Sequence, residues 1–230
     1  MKYISIDIET TGLDREVCQI LSVGAVIEDT NNPLLLTELP TFHCAIKRSS
    51  VYGELYALNM NKDLIESIVQ YQTAKDQDEK NDLVQKTGMI FLDEDEVVDA
   101  LFRFCFDNGI VEVDTQYLSK TIRLVDGKTY PMLTSNMEKV YITVAGKNFA
   151  TFDKIFLERL PRWKQVFNIR QRIIDPSILF TDWKSDESLP SLLQCKQRAG
   201  IKGEVTHNAV EDAMDVIQIL RTQYINPKNK

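Results

Sequence analysis

Residues 2–9 constrain the fold most, because apolar and polar side chains alternate along them with a period of two. The isoleucines fall on one face of the predicted strand, and Asp7 and Glu9 fall together on the other. Two neighbouring carboxylates on one strand face repel each other, and hard divalent cations relieve that repulsion. The segment therefore predicts a strand that ends in a pair of metal ligands. An exposed polar strand face is the plainer alternative.

A second acidic motif contains Asp153, which falls within the apolar face of a helix predicted over residues 150–160. Its neighbours on that face are Phe149, Phe152, Phe156, Leu157 and Leu160. A carboxylate in such a position needs a partner, because burial of an unpaired charge is very costly. The pattern indicates a metal ligand, with a salt bridge to a nearby arginine as the alternative.

A third acidic motif begins the last predicted helix, residues 208–223. Asp212 lies at the edge of the apolar stripe, whereas Glu211 and Asp215 lie on the polar side and are expected to be solvated. His207 precedes Asp212 by five residues, about 140° round an ideal helix. The two side chains can therefore cooperate only if His207 lies on the loop before the helix. A purely structural histidine is the alternative.

The order of predicted elements indicates a single α/β domain, residues 1–230, with a mixed sheet. Strands are predicted at 2–9, 17–28, 41–47, 141–145 and 172–175, and helices at 61–71, 95–106, 150–160, 188–199 and 208–223. Residues 73–88 are predicted to be a loop, and residues 110–137 to hold a hairpin that turns at Asp126-Gly127. Both segments are interpreted as insertions. His43 lies on a predicted strand without acidic neighbours and is assigned no role.

Charge and composition limit the classes of partner. The net charge of −7 disfavours extended nucleic-acid binding, although residues 147–172 carry seven basic side chains against two acids. That segment predicts either a nucleic-acid contact or a solvated helix face. No apolar run is long enough to span a membrane, no secretory signal is recognised, and the four cysteines are dispersed. A cytoplasmic protein with reduced thiols and no membrane contact is expected.

Three segments together resemble a known enzyme group. They are Asp-Ile-Glu-Thr-Thr-Gly-Leu at 7–13, Asn-Phe-Ala-Thr-Phe-Asp-Lys-Ile-Phe-Leu at 148–157, and His-Asn-Ala-Val-Glu-Asp-Ala at 207–213. In order and placement they resemble the motifs of the DEDD exonuclease superfamily, histidine (DEDDh) branch. That group includes proofreading exonucleases, ribonuclease T and oligoribonuclease. One departure is Lys147-Asn148, where the family often has His-Asn.

The resemblance implies a ribonuclease H-like fold, a mixed five-stranded sheet flanked by helices. It also implies 3′→5′ hydrolysis of nucleic acid by two divalent ions, Mg²⁺ or Mn²⁺, with release of nucleoside 5′-monophosphates. By this resemblance the metal carboxylates are Asp7, Glu9, Asp153 and Asp212, and the general base is His207. The residues that it assigns to substrate binding are Thr10, Thr11, Gly12, Leu13 and Asn148.

The expected partners are single-stranded or frayed 3′ ends of DNA or RNA. Arg162 and Lys164 in the basic segment are expected to guide that strand towards Asp153. DNA and RNA remain equally open, as do a homodimer and a polymerase-associated subunit. An endonuclease on the same fold and a non-catalytic nucleic-acid-binding module are the rival functions. The presence of all five expected catalytic residues counts against the second rival.

Overall fold

The computed structural model describes residues 1–112, 118–125, 128–133 and 138–225. In chain order the strands are β1 (Lys2–Thr10), β2 (Ile20–Asp29), β3 (Thr41–Ile46), β4 (Ile90–Leu92), β5 (Leu118–Val125), β6 (Lys128–Leu133), β7 (Val140–Ile142), β8 (Val144–Ala145) and β9 (Phe167–Ile169). The α-helices are α1 (Leu55–Met60), α2 (Lys62–Thr73), α3 (Gln77–Thr87), α4 (Val97–Asp107), α5 (Asp153–Leu157), α6 (Trp163–Val166), α7 (Leu192–Ala199) and α8 (Ala209–Tyr224). Short 3₁₀ turns lie at Leu36–Glu38 and Pro176–Phe180.

The central sheet has five strands in the order β4-β3-β2-β1-β8. The β1–β2 and β2–β3 pairs are antiparallel, and the β3–β4 and β1–β8 pairs are parallel. Loops at residues 11–19 and 30–40 join the antiparallel strands, whereas the parallel pairs require longer crossovers, which here contain helices. This is the mixed, helix-flanked, ribonuclease H-like sheet that the sequence predicts, so the predicted fold class is confirmed.

Both faces of β1 are covered. On one face the isoleucines of β1 belong to the main core, together with Val98 and Leu101 of α4 and Phe156 of α5. On the other face Tyr3 packs with Ile217 and other apolar residues of α8. Asp7 and Tyr3 are both at odd positions of one strand, so Asp7 points to the side that α8 covers. The alternative of an exposed polar strand face is therefore excluded, because this face forms a second buried layer.

Several predicted elements differ from the observed ones, among them the strand predicted over 141–145, which divides into β8 of the central sheet and β7 of a separate pair with β9. Residues 73–88 were expected to be a loop, but they contain α3, which Asp76 caps at its N-terminus and Gly88 ends in a left-handed conformation. The composition of α3 is polar, and Leu83 alone of its residues is buried, so its apolar periodicity is weak. The helix predicted over 150–160 shortens to α5, and the strand predicted over 172–175 reduces to one bridge between Ala145 and Ile174.

The predicted extra hairpin is found as far as the structure describes it. β5 and β6 form a separate antiparallel pair in which Val125 lies opposite Lys128. The turn residues Asp126-Gly127 lie outside the described residues. Within the described ranges no helix is both long and apolar enough to cross a membrane. The four cysteines are buried and free, as expected for reduced thiols.

Candidate active site

The first two acids stand at the carboxyl end of β1. Asp7 lies opposite Gly24 of β2, and the register of the pair shifts between Glu9 and Thr10. Glu9 is buried and Asp7 is partly covered. Because the two side chains share one strand face, both point towards the layer formed by α8.

The close approach of α8 to β2 explains how the third acid reaches this point. A Cβ on Gly24 would lie 2.2 Å from the carbonyl carbon of Ala209 and 2.2 Å from the amide nitrogen of Val210. Only a glycine lets the first turn of α8 rest on the strand beside Asp7. One carboxylate oxygen each from Asp7, Glu9 and Asp212 consequently lie within 4.8 Å of one another.

Asp153 joins this group from the opposite side of β1. It is the first residue of α5 and is 2% exposed. Its Oδ1 accepts a hydrogen bond from the backbone N–H of Ile8 at 3.2 Å, which places the carboxylate on the main chain between Asp7 and Glu9. The structure thus brings the acids of all three sequence motifs to one end of one strand.

Burial raises the pKa of every carboxyl group in this cluster, and repulsion within the cluster raises those of Asp7 and Glu9 further. Desolvation is the largest cause for Asp7, whose pKa is raised well above its usual range, followed by repulsion from Asp153, Asp212 and Glu9. The pKa of Glu9 is raised to about 7 by desolvation and by Asp212. Desolvation likewise raises the pKa of Asp153 to about 7 and that of Asp212 to about 7.

The donor set fits divalent cations. Asp212 Oδ1 is buried and accepts no hydrogen bond from the residues that the structure describes. A buried carboxylate oxygen without a donor is costly, and a bound cation would satisfy it. Carboxylate oxygens are also the ligands that Mg²⁺ and Mn²⁺ prefer. The four acids named above are therefore the residues of this site that could hold a metal.

His207 lies on the loop before α8, as cooperation with Asp212 requires. Its backbone is left-handed, with φ 54°, and its side chain is exposed. Asn208 begins the helix, because its Oδ1 accepts hydrogen bonds from the backbone N–H groups of Val210 and Glu211. The change of direction at His207 removes the 140° conflict of a continuous helix. Its role as general base stays a prediction.

The turn after β1 is held by internal hydrogen bonds. The Thr10 hydroxyl donates to the Gly12 carbonyl at 2.8 Å, and the buried Thr11 hydroxyl accepts from the Gln19 amide at 2.8 Å. Gly12 has φ 155°, a conformation that residues with a Cβ rarely adopt, and a Cβ there would also lie 2.7 Å from Cδ of Glu54. The substrate-binding roles of Thr10, Thr11 and Gly12 stay predictions.

Leu13 and Asn148 are the two accessible residues among those assigned to the substrate. Leu13 is 74% exposed, and its backbone N–H donates to Glu54 Oε1 at 2.9 Å. Asn148 is exposed in a left-handed conformation, with φ 57°, and its amide donates to Asp175 Oδ2 at 3.0 Å. Asp175 in turn begins the 3₁₀ turn Pro176–Phe180. In both residues the backbone N–H donates to a carboxylate far away in the chain, so the position of the main chain is set by the fold.

Two charged residues form ion pairs that the sequence did not predict. Asp215 was expected to be solvated, but its Oδ2 pairs with the buried Nζ of Lys196 from α7. Arg162 was expected to guide a nucleic-acid strand, yet its Nη1 binds both carboxylate oxygens of Asp99 at 2.8 Å. The expectation for Asp215 is wrong, because helical periodicity does not reveal which other helix packs against a charged face. The guiding role of Arg162 stays a prediction.

Asn61, at the junction of α1 and α2, is a neighbour of the site that sequence reasoning missed. Its Nδ2 donates to the Thr10 carbonyl at 3.1 Å, and its side chain also lowers the pKa of Glu9 by hydrogen bonding. No motif marks this residue, because it reaches the acids only through a hydrogen bond between the α1–α2 junction and the end of β1, 51 residues apart in the chain.

Comparison with known proteins identifies the fold. No family model and no curated protein sequence matches the chain. Among solved structures, E. coli exonuclease I in complex with a 5cy-dT13 oligonucleotide is similar with a TM-score of 0.52 and 12% identity, over 99% of this chain and 41% of that one. The nuclease domain of 3′hExo, a DEDDh family member bound to rAMP, is similar with a TM-score of 0.55 and 12% identity, over 98% and 92%.

Cell-death related nuclease 4 (CRN-4) is similar with a TM-score of 0.51 and 12% identity, over 98% of this chain and 64% of that one. The chain therefore spans less than half the length of the exonuclease I chain and almost the whole of the 3′hExo nuclease domain. At these identities the likeness shows the fold: the chain has the fold of the DEDD-family 3′→5′ exonucleases.

Proposed function

We propose that this chain is a metal-dependent 3′→5′ exonuclease that releases nucleoside 5′-monophosphates from the 3′ ends of nucleic acids. The observation that carries the proposal is the meeting of Asp7, Glu9 and Asp212 within 4.8 Å, with Asp153 bonded to the same strand. The shared fold supports it. In this proposal residues 1–230 form one cytoplasmic exonuclease domain with insertions at 73–88 and 110–137.

The four carboxylates would hold two divalent ions, Mg²⁺ or Mn²⁺. Four negative charges balance two divalent cations, and binding would remove the repulsion that raises the pKa of these acids. When bound, a pair of such ions supplies an activated water and stabilises the leaving oxygen of a phosphodiester. Asp153 and Asp212 are fixed by their helices, so the residues of this chain set the shape of the site before any ion binds.

His207 is the general base in this proposal. A neutral imidazole accepts a proton near neutral pH, and the side chain is accessible to the water that attacks the phosphodiester. The Asn208 cap holds the backbone on one side of His207. In this division of roles His207 accepts the proton of the attacking water, whereas the carboxylates hold the ions.

Exposed apolar side chains beside the acids support binding of a single-stranded 3′ end. Leu13, Leu55 and Tyr56 are all more than 70% exposed, and Glu54 joins their two segments through its bond to the Leu13 amide. Such side chains contact the faces of bases, which are accessible only when the strand is unpaired. We infer that Leu13 packs against the terminal base and that Asn148 and the Thr10–Gly12 turn contact its sugar and phosphate.

Digestion of three end-labelled substrates tests the proposal: single-stranded DNA, duplex DNA and short RNA, each with Mn²⁺, Mg²⁺ or EDTA. A ladder that shortens from the 3′ end, with mononucleotide release and complete inhibition by EDTA, is expected. Relative rates on the three substrates distinguish DNA from RNA. Cleavage of a circular single strand would instead indicate an endonuclease, and binding without hydrolysis under every metal would indicate a non-catalytic module.

A further inference from the structure

His207 occupies a backbone conformation that its own loop does not explain. Residues 200–208, here called the histidine loop, join α7 to α8, and His207 has φ 54° within it. A non-glycine residue in the left-handed region persists only where its surroundings hold it there. The side chain is exposed, so apolar packing of His207 does not supply that restraint.

The buried side chain of Lys196 in α7 forms a hydrogen bond to the backbone of this loop. The side chain is 4% exposed, and its Nζ donates to the backbone carbonyl of Glu204 at 3.0 Å. The same Nζ pairs with Asp215, which lies three residues after Asp212 on α8. One buried ammonium group therefore joins α7, the histidine loop and α8. Burial of a lysine is costly unless its bonds are made, so this geometry is strongly specified.

The backbone of the histidine loop is restrained on both sides of His207. Glu204 is fixed by Lys196, and Asn208 is fixed by its bonds to Val210 and Glu211 at the start of α8. Only residues 205–207 lie between these points. With both ends of so short a segment held, few backbone conformations remain, and the direction of the His207 side chain is set.

We propose that Lys196 is a positioning residue, which holds the histidine loop so that His207 faces the carboxylates. The inference rests on the proposed function, in which His207 accepts a proton. It predicts that loss of Lys196 harms the chemical step through His207 and leaves substrate binding intact, and that metal binding also stays intact when Asp215 is removed with it. A merely structural ion pair between α7 and α8 would lower stability without that pattern.

Two variants separate these roles. Lys196→Met removes both bonds, and the double variant Lys196→Met/Asp215→Leu also removes the stranded acid, so that the protein stays folded. Arg198→Met is the matched control, because Arg198 is also a cation of α7 but binds Asp186 and the Phe180 carbonyl on a different loop. Each protein is measured by amide hydrogen exchange without metal, by steady-state kinetics, and by the melting shift that Mn²⁺ produces.

In both Lys196 variants, exchange at residues 205–208 should accelerate by at least about tenfold, and kcat should fall by about 10²-fold. KM should be unchanged in both variants, and the Mn²⁺ shift should be unchanged in the double variant, where the loss of Lys196 and the loss of Asp215 move the pKa of Asp212 in opposite directions. Arg198→Met should match the parent in the histidine loop. In a His207→Ala background, Lys196→Met should produce no further loss of kcat, since two residues that act as a unit are not additive.

A double variant with parent exchange rates, a parent kcat, or a full additional loss in the His207→Ala background would overturn the proposal. Failure of the proposed function is a separate result. If the parent hydrolyses none of the substrates, the exonuclease is excluded, while the exchange data still decide whether Lys196 holds the histidine loop.

Discussion

Each end of α8 places a charged side chain against a buried carboxylate of the sheet, and the two side chains of α8 have opposite charges. Near its C-terminus Arg221 pairs with Glu28 of β2 at 2.5 Å, and Glu28 is fully buried. Near its N-terminus, nine residues or about 13 Å away, the same helix presents Asp212 to Asp7 and Glu9. One end neutralises an acid of the sheet, and the other adds to its charge.

This difference shows which buried carboxylates the chain neutralises by itself and which would need a bound cation. At the Glu28 end the neutralising cation is itself part of α8, so the pair requires no cation from solution. The Asp212 end concentrates carboxylates, and its repulsion appears in the raised pKa values. Lys196 moderates the pKa of Asp212 but is already committed to Asp215 and Glu204. An acidic cluster retained at this expense in stability is typical of a functional site.

Removal of an acid at the charged end should have the largest effect on activity. We expect Asp7→Ala to lower the hydrolysis rate by at least about 10²-fold, because a metal ligand is lost at the position of charge development. The measurement is mononucleotide release from an end-labelled single strand, with circular dichroism to verify folding. Asp63→Ala, at an exposed acid of α2, should keep the parent rate. More than about a tenth of the rate in Asp7→Ala would exclude Asp7 as a ligand.

His207→Ala should have the next largest effect. We expect kcat to fall by about 10²–10⁴-fold, since a general base is removed while every carboxylate remains. The melting shift produced by Mn²⁺ should stay at the parent value. The limb of the pH–rate profile below neutrality should disappear in the variant. A limb that persists unchanged would assign His207 a structural role.

At the paired end, the expected effect is on stability. Arg221→Met strands Glu28 in the core and should lower the free energy of unfolding by about 3–5 kcal/mol. Asp212→Asn at the other end of the helix removes a repelling charge and should leave the metal-free protein at least as stable. Urea unfolding in EDTA measures both. Equal losses in the two variants would show that the ends of α8 do not differ in the way described.

Gly24→Ala tests the contact between β2 and the first turn of α8. The new Cβ would meet the backbone of α8 at 2.2 Å, so we expect a loss of about 1–3 kcal/mol and a displaced Asp212 with reduced activity. Gly88→Ala is the control. Its Cβ has no neighbour within 4 Å, and the strain of its left-handed conformation lies far from α8 in sequence. Parent activity in Gly24→Ala would mean that α8 does not need this close approach.

The last prediction concerns the dependence of stability on pH in the absence of metal. Glu9, Asp153 and Asp212 have pKa values of about 7 in the folded chain, against about 4 for unfolded carboxyl groups. The folded state therefore binds more protons between these values, so its stability falls as pH rises from 4 to 7. Metal at about a hundred times Kd should add about 2.7 kcal/mol at higher pH.

Melting curves of the parent and of Asp153→Asn, with EDTA and with Mn²⁺ at pH 5 and pH 8, measure this effect. The variant should show a shallower fall with pH and a smaller Mn²⁺ increment. His43 is buried, its pKa is lowered to about 4, and its contribution has the opposite sign. Because His43 is common to both proteins, it cancels in their difference. A parent without any Mn²⁺ shift would contradict the metal site.

The sequence predicted the local chemistry well where periodicity is strong. The alternation in β1 places Asp7 and Glu9 on one face, and the stripe of α8 places Asp212 at its edge, as observed. Prediction failed where periodicity is weak. The polar α3 was interpreted as a loop, and the helix around Asp153 was drawn too long. Charged residues were harder still, because Asp215 and Arg162 find partners on other helices.

The sequence by itself determined which residues carry charge, which strand and helix hold them, and that His207 must precede α8 on a loop. These follow from periods of two and 3.6 residues, which are local properties of the backbone. Only the tertiary structure decided that Gly24 admits α8 beside Asp7, that Arg221 neutralises Glu28, and that Lys196 grips the histidine loop. Those contacts join residues far apart in the chain, and packing alone brings such residues together.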